Sequence, residues 1–219
     1  MKQVKRIFFD SGMILVYPKS GHWFYPQVYK DYCKSNNLPE STFLQKVNYR
    51  KAYKYLDSVK TVRTLHDEEF LYQNFYKHLF HGIHGKDNKE LIDMCTNAKV
   101  YDKEKYAFYD DVENTIATLY DKYKLGIISD AWPSLLSVYE NKKMDRYFTP
   151  FIISSMNGCT KESHELFNIA LSQISETPEE CLFVDDSYGN CKRATEVGMN
   201  AVILNRNKYE RDRGTIKAI

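Results

Sequence analysis

Apolar residues along this chain fall into two regimes. From Trp23 to Ala98 they recur at three- and four-residue intervals, the period of a helix face; on either side they come in short unbroken runs closed by a polar residue. The first run, Ile7-Phe8-Phe9, predicts a buried strand that delivers Asp10 at its C-terminal end, with Gly12 two residues on. Inside the periodic block the pattern predicts a helix over Trp23–Lys34 and a second opening at Asn37-Leu38-Pro39-Glu40, with Phe43, Leu44, Val47 and Ala52 on its apolar face. A third opens at His66-Asp67-Glu68-Glu69, whose acids suit a helix N-terminus, with Phe70, Phe75, Leu79 and Phe80 following, and a short fourth covers Asn88–Cys95. No strand is predicted there.

From Asp111 the pattern alternates. It predicts helix Val112–Lys122, strand Lys124–Ser129, helix Trp132–Asn141, strand Phe151–Ile153, helix Glu165–Ile174, strand Cys181–Asp185, helix Gly189–Val197 and strand Ala201–Leu204. Strands alternating with helices of about ten residues build right-handed βαβ units around a parallel sheet. The expected fold class is therefore α/β, with a Rossmann-like parallel sheet core formed by residues 1–15 and 99–219. Residues 16–98 are expected to form an α-helical cap domain inserted after the first strand, above the strand ends.

Composition narrows the function. The chain has 219 residues, 43% of them hydrophobic, and no run of about 18 apolar residues. The N-terminal Met1-Lys2-Gln3-Val4-Lys5-Arg6 has no signal-peptide pattern, so a cytoplasmic protein without a membrane partner is expected. A net charge of +2 argues against a dedicated nucleic-acid binder. Five cysteines, odd in number and without a Cys-x-x-Cys pair, read as reduced thiols. Between Val16 and Val100 lie 13 basic and 9 acidic residues, against 18 and 20 elsewhere. Arg50, Lys51, Lys54 and Arg63 could steer an anionic substrate, although a solvated helical face is the preferred reading. A monomer or weak homodimer is expected.

Four strand ends carry polar groups in sequence: Asp10, Ser129-Asp130, Lys161, and Asp185-Asp186. In a parallel sheet these ends lie along one edge, and their chemistry is complementary. A carboxylate can attack phosphorus, a hydroxyl and an ammonium can hold phosphoryl oxygens, and acids gathered with Asp10 suit octahedral Mg²⁺. Burying three carboxylates together without a cation would be costly. Asp130 equally suits a helix N-cap, the reading preferred to a catalytic one. His78, His81 and His84 have metal-like spacing, but Gly82 and Gly85 interrupt the helix, and surface histidines are preferred. Tyr17, His22 and Trp23 sit where the chain leaves the core for the cap and are candidates to line the pocket.

The motifs together resemble the haloacid dehalogenase-like (HAD) superfamily of hydrolases over the whole chain. Phe8-Phe9-Asp10-Ser11-Gly12-Met13 matches the first motif, Gly126-Ile127-Ile128-Ser129-Asp130 the second, Lys161-Glu162 with Glu165–Ala170 the third, and Leu182–Asn190 with Ala194 and Gly198-Met199 the fourth. Asn is more usual than Asp130, and Pro more often follows the Lys. The resemblance implies that Asp10 is the nucleophile and a Mg²⁺ ligand and that the Gly12 carbonyl is a second ligand. It implies Asp186 as a direct ligand and Asp185 as one acting through water. Ser129 and Lys161 would hold the phosphoryl group, Asp130 would border the substrate, and Asn190 would support the fourth-motif loop.

Typical phosphatases of the superfamily carry a second Asp two residues after the nucleophile as general acid and base; here that position is Gly12. Some of its sugar-phosphate phosphatases share the Gly. The implied function is a Mg²⁺-dependent phosphatase acting through an aspartyl-phosphate on a small anionic phosphorylated metabolite, a sugar phosphate among the candidates. The alternatives are a 2-haloacid dehalogenase, which needs neither metal nor general acid, and a catalytically silent binding protein.

Overall fold

A computed structural model describes residues 2–38, 40, 49–81 and 88–206, and the backbone of 214–218. Its centre is a six-stranded sheet whose middle strand, β1 (Arg6–Phe9), pairs in parallel with β4 (Lys124–Ser129) on one side and β6 (Cys181–Asp185) on the other. Outward lie β5 (Phe148–Ile153) beside β4 and β7 (Asn200–Arg206) beside β6; β8 (Gly214–Ala218) closes that edge antiparallel to β7. The five parallel strands are those the alternating pattern predicts. The strand at Phe151 begins three residues early, at Phe148, and carries Pro150, which an edge strand tolerates because one side of its backbone has no ladder partner.

Alternate side chains of each strand enter different cores. Ile7, Phe9 and Ile127 pack beneath α5 (Val112–Tyr120) and α6 (Ser134–Asn141), with Ile116, Leu135 and Tyr139. Past the short α7 (Ser154–Asn157), Phe8, Ile128 and Phe183 face α8 (Glu165–Ser172) and α9 (Tyr188–Glu196), through Phe167, Ala170 and Ala194. Burial on both faces explains why these strands read as unbroken apolar runs.

A separate core joins α1 (Gln27–Ser35), α2 (Tyr49–Ser58), α3 (Leu65–Leu79) and α4 (Lys89–Val100), with Tyr29, Ala52, Tyr72, Phe75, Tyr76 and Cys95 at its heart. Helix α1 starts at Gln27 rather than Trp23, because Pro26 sits extended at its N-cap. Phe43, Leu44 and Val47 lie outside the described residues. Helix α4 runs five residues past Cys95. Of the acids opening α3, Asp67 completes a capping box with Thr64, whereas Glu68 is fully buried and accepts hydrogen bonds from the Ser134 N–H (2.7 Å) and Oγ (2.5 Å) on α6. Glu68 thus ties the cap helices to the core.

Val16–Pro18 (β2) and Tyr106–Phe108 (β3) pair antiparallel in a two-stranded ribbon where the chain passes between the two parts, which the hydrophobic pattern does not signal. At three residues each, these strands are too short to show an alternation. Arg206 strengthens the same region: it donates to the Ile14 carbonyl at 2.8 Å and pairs with Asp111, holding the turn that follows Asp10.

Gly126 marks a close approach within the sheet. A Cβ there would lie 2.6 Å from the Phe8 ring and 3.0 Å from the Pro150 carbonyl oxygen. Gly126→Ala is expected to destabilise the fold by about 1–3 kcal/mol through overpacking. Chemical denaturation would check this, and an unchanged midpoint would show that Phe8 has room to move.

Candidate active site

Asp10 stands at the C-terminal end of β1, 8% exposed. Because β4 and β6 flank β1 in register, Ser129 and Asp185 arrive at the same edge. Ser129 Oγ donates to Asp10 Oδ1 at 2.8 Å, and Lys161 Nζ lies 2.9 Å from the same oxygen. Lys161 Nζ also donates to Asp185 Oδ2 at 2.7 Å. Among the described residues Asp10 Oδ2 has no protein hydrogen-bond partner.

Burial pushes the Asp10 carboxyl up, and Asp185 adds to this, while Lys161 and Ser129 pull it down; the outcome lies above the ordinary carboxylate value. Burial works against the Lys161 charge, but Asp10, Asp185 and Asp130 outweigh it and hold the ammonium above the usual lysine range. Asp186 is solvent-accessible at the rim of the site, and lost solvation followed by repulsion from Asp185 and Asp10 pushes it up to about 6.

Carboxylate oxygens of Asp10, Asp185 and Asp186 lie within 4.8 Å of one another. Three such groups against the single ammonium of Lys161 leave excess negative charge, and an all-oxygen donor set suits a hard divalent cation. The chemistry of the site therefore fits Mg²⁺. Asp185 already has partners on both oxygens: Oδ1 accepts from the Ser187 N–H at 2.7 Å, and Asn190 Nδ2 bridges both at 3.2 Å. Asn190 acts inside this loop, at the start of α9, where Ser187 is the N-cap.

Above Asp10 opens a cavity of about 360 Å³, lined by Asp10, Gly12, Ser129, Asp130 and Asp186 among the expected site residues. Lys161 and Asp185 do not reach its surface; they lie beneath it, 2% and 0% exposed, and act on Asp10 from below. Asp130 caps no helix. Pro133 holds the N-cap position of α6, and Asp130 Oδ1 instead accepts the Lys161 N–H at 3.0 Å, positioning the loop that carries the lysine.

Trp23 lines the cavity and packs against Gly12: a Cβ at position 12 would lie 3.3 Å from the indole. Tyr17 packs on Tyr109 instead, and His22 lines a neighbouring cleft. Arg50, Lys51, Lys54 and Arg63 are exposed and none lines the cavity. His84 lies outside the described residues, and the His78 ring rests against Tyr55, 5.3 Å between centroids.

Sequence reasoning misses Lys99, Phe24, Tyr106 and Trp132, which also line the cavity. Lys99 carried a usable signal. It continues the apolar stripe of α4, after Leu91, Ile92, Cys95 and Thr96, and a lysine on a buried stripe is anomalous.

Among the described residues no helix is long and apolar enough to cross a membrane. No curated protein matches the chain by sequence. Many solved structures share its fold. A putative HAD-hydrolase, YfnB, of Bacillus subtilis bound to magnesium is 14% identical with a TM-score of 0.66, over 94% of this chain and 89% of that one. A HAD phosphatase of Thermococcus onnurineus is 21% identical, TM-score 0.62, over 94% and 88%. An L-2-haloacid dehalogenase of Xanthobacter autotrophicus with chloropropionic acid covalently bound is 16% identical, TM-score 0.63, over 95% and 80%. The family model of haloacid dehalogenase-like hydrolases matches residues 44–204, which is most of the chain, and with the α/β core and its carboxylate cluster this makes the protein a member of the haloacid dehalogenase-like hydrolase family.

Proposed function

We propose that the protein is a cytoplasmic, Mg²⁺-dependent phosphomonoesterase acting on a small phosphorylated metabolite. The observation that carries this reading is the convergence of Asp185 and Asp186 on Asp10. Displacement of halide from carbon needs only the nucleophile and leaves the two further acids unexplained; phosphoryl transfer uses them. The magnesium-bound relative supports the same choice. Asp10 and Asp186 would hold the ion with the Gly12 carbonyl, and Asp185 would act through water; the bound ion would supply positive charge to the phosphoryl oxygens.

The chain's own residues supply the rest. Asp10 Oδ2 attacks phosphorus, forming an aspartyl-phosphate as the P–O bond to the leaving group breaks. Ser129, which lines the cavity, stabilises the charge that shifts onto the phosphoryl oxygens, and Lys161 acts through Asp10 from below, favouring its ionised form. Water then cleaves the acyl phosphate, returning the Asp10 carboxylate and inorganic phosphate. The leaving oxygen finds no acid at Gly12, and the Trp23 indole fills the space such a side chain would use. Good leaving groups are therefore favoured.

The dehalogenase reading keeps one point in its favour, since halide departs without a proton and Gly12 would then cost nothing. Phosphate release abolished by a chelator and restored by Mg²⁺ would support the phosphatase; turnover of 2-haloacids in chelator would replace it.

Asp10→Asn is expected to lower phosphate release by at least roughly a thousandfold with an unchanged circular dichroism spectrum, because the amide is a poor nucleophile. Retained turnover would end the aspartyl-phosphate mechanism. Asp186→Ala should leave metal-free thermal stability equal or higher, since it removes one of three mutually repelling carboxylates, while shrinking the stabilisation on adding Mg²⁺. A full Mg²⁺ response in that variant would move the ion elsewhere.

The missing acid gives a third expectation. Rates over a series of aryl phosphates should fall steeply as the leaving phenol becomes less acidic. Gly12→Asp combined with Trp23→Phe, which relieves the crowding, should flatten the slope and help poor leaving groups by up to about 10²-fold. A shallow slope in the parent protein would show an acid already in place.

A further inference from the structure

The roof of the cavity holds a cation without an anion. Lys99, near the end of α4, is 5% exposed, and its Nζ donates to the Trp23 carbonyl and the Tyr106 hydroxyl, each at 2.8 Å. It stands over the rings of Tyr72, Tyr106 and Phe24, at 5.2, 5.4 and 5.6 Å from their centroids. These neighbours take two of its three N–H groups and solvate its charge, but none is a carboxylate. Among the described residues Lys99 forms no salt bridge, whereas the buried Lys161 has two and Arg206 has one. Glu68 is the nearby acid, and both its oxygens are already held by Ser134. A buried ammonium is normally paired. Lys99 lines the same cavity as Asp10, and apart from Ser134, which is held by Glu68, the wall around it is apolar or aromatic, with Met13, Trp23, Phe24, Tyr106, Trp132 and Leu135.

We propose that Lys99 binds an anionic group, a carboxylate, on the non-reacting part of the substrate, so that the preferred substrates are phosphate esters whose compact, apolar or aromatic body also carries a carboxylate. This rests on the phosphatase reading for the phosphate end. The aromatic walls fit a flat body and offer few partners to the hydroxyls of a sugar.

The charge state of Lys99 gives the assignment a signature. Glu68 and Tyr72 face it from α3, Tyr106 and Lys105 from the ribbon, and His22 from the loop before α1. Burial lowers Lys99 to about 8, partly opposed by Glu68. Below that pH the ammonium is charged and can take a carboxylate; above it the amine is neutral and the attraction is lost. Lys105 is also lowered to about 8, by burial first, so it must be separated from Lys99 in any test.

The test is calorimetric binding, with Mg²⁺ present, of two non-hydrolysable phosphonates, 4-carboxybenzylphosphonate and benzylphosphonate. Their ratio cancels the titration of the phosphonate itself. The carboxylated ligand is expected to bind on the order of ten- to a hundredfold tighter at pH 7, the range for a charge-assisted hydrogen bond. The preference should decline above about pH 8. Lys99→Met should erase it, and Lys99→Arg should keep it and make it independent of pH between 7 and 9. Equal affinities in the parent protein, or failure of the carboxylated ligand to bind, would overturn the assignment without any variant having to fold. A pH dependence surviving in Lys99→Arg would transfer it to Lys105 and overturn it too. Phosphate release from phenyl phosphate separates the two readings. An inert protein that still prefers the carboxylated phosphonate would keep Lys99 as an anion site, and turnover without the preference would remove Lys99 alone.

Discussion

One buried ammonium holds the site together. Lys161 touches Asp10 at 2.9 Å and Asp185 at 2.7 Å, and without it two carboxylates would face each other in a place water hardly reaches. Breaking a buried pair by removing one partner is far costlier than the pair is stabilising, so this contact constrains more than it stabilises. It obliges the loop after β5 to fold inward, a course fixed by Asp130 gripping the Lys161 N–H. It requires β1 and β6 to be neighbours. It also leaves the cluster short of positive charge once Asp186 is counted, which suits the site to a divalent cation.

The two sides of the cavity divide the work by polarity. The floor comes from strand ends and carries the carboxylates; the roof, built by cap and core together, is mostly apolar or aromatic around the single ammonium of Lys99. Glu68 joins cap and core, reaching from α3 to the first residue of α6. That contact places Trp132, just before α6, against Tyr72 of α3, with ring centroids 6.0 Å apart. A buried acid in the cap thereby sets the position of a residue that lines the cavity.

How much of this was legible follows from the range of the interactions involved. The buried parallel strands announce themselves because both faces are apolar, and Asp10, Ser129 and Asp185 are each the polar residue that ends such a run. The ribbon of β2 and β3 leaves no trace, since three residues show no period. Asp130 was open to two local readings, and its partner is 31 residues away, beyond any window. Glu68 and Glu69 look alike in sequence; only the packing of α3 on α6 buries the first. Lys99 escapes the pattern because the spacing signals the fourth helix only as far as Cys95, one turn short of the anomaly.

The order of the sheet also bears on how the chain is made. The strand carrying Asp10 is synthesised first, yet both its partners come later: Phe8 sits between Gly126 and Phe183. An apolar strand with two open edges must therefore wait on the ribosome for more than a hundred residues, while the helices of the intervening block bury their own separate core. Contacts of such long sequence separation form slowly, and an unpaired apolar edge invites aggregation in the meantime. The central position of β1, which gives Asp10 its rigid seat, makes a strand that emerges before both its partners one of the last to be covered, so the nascent chain is most vulnerable around Asp10.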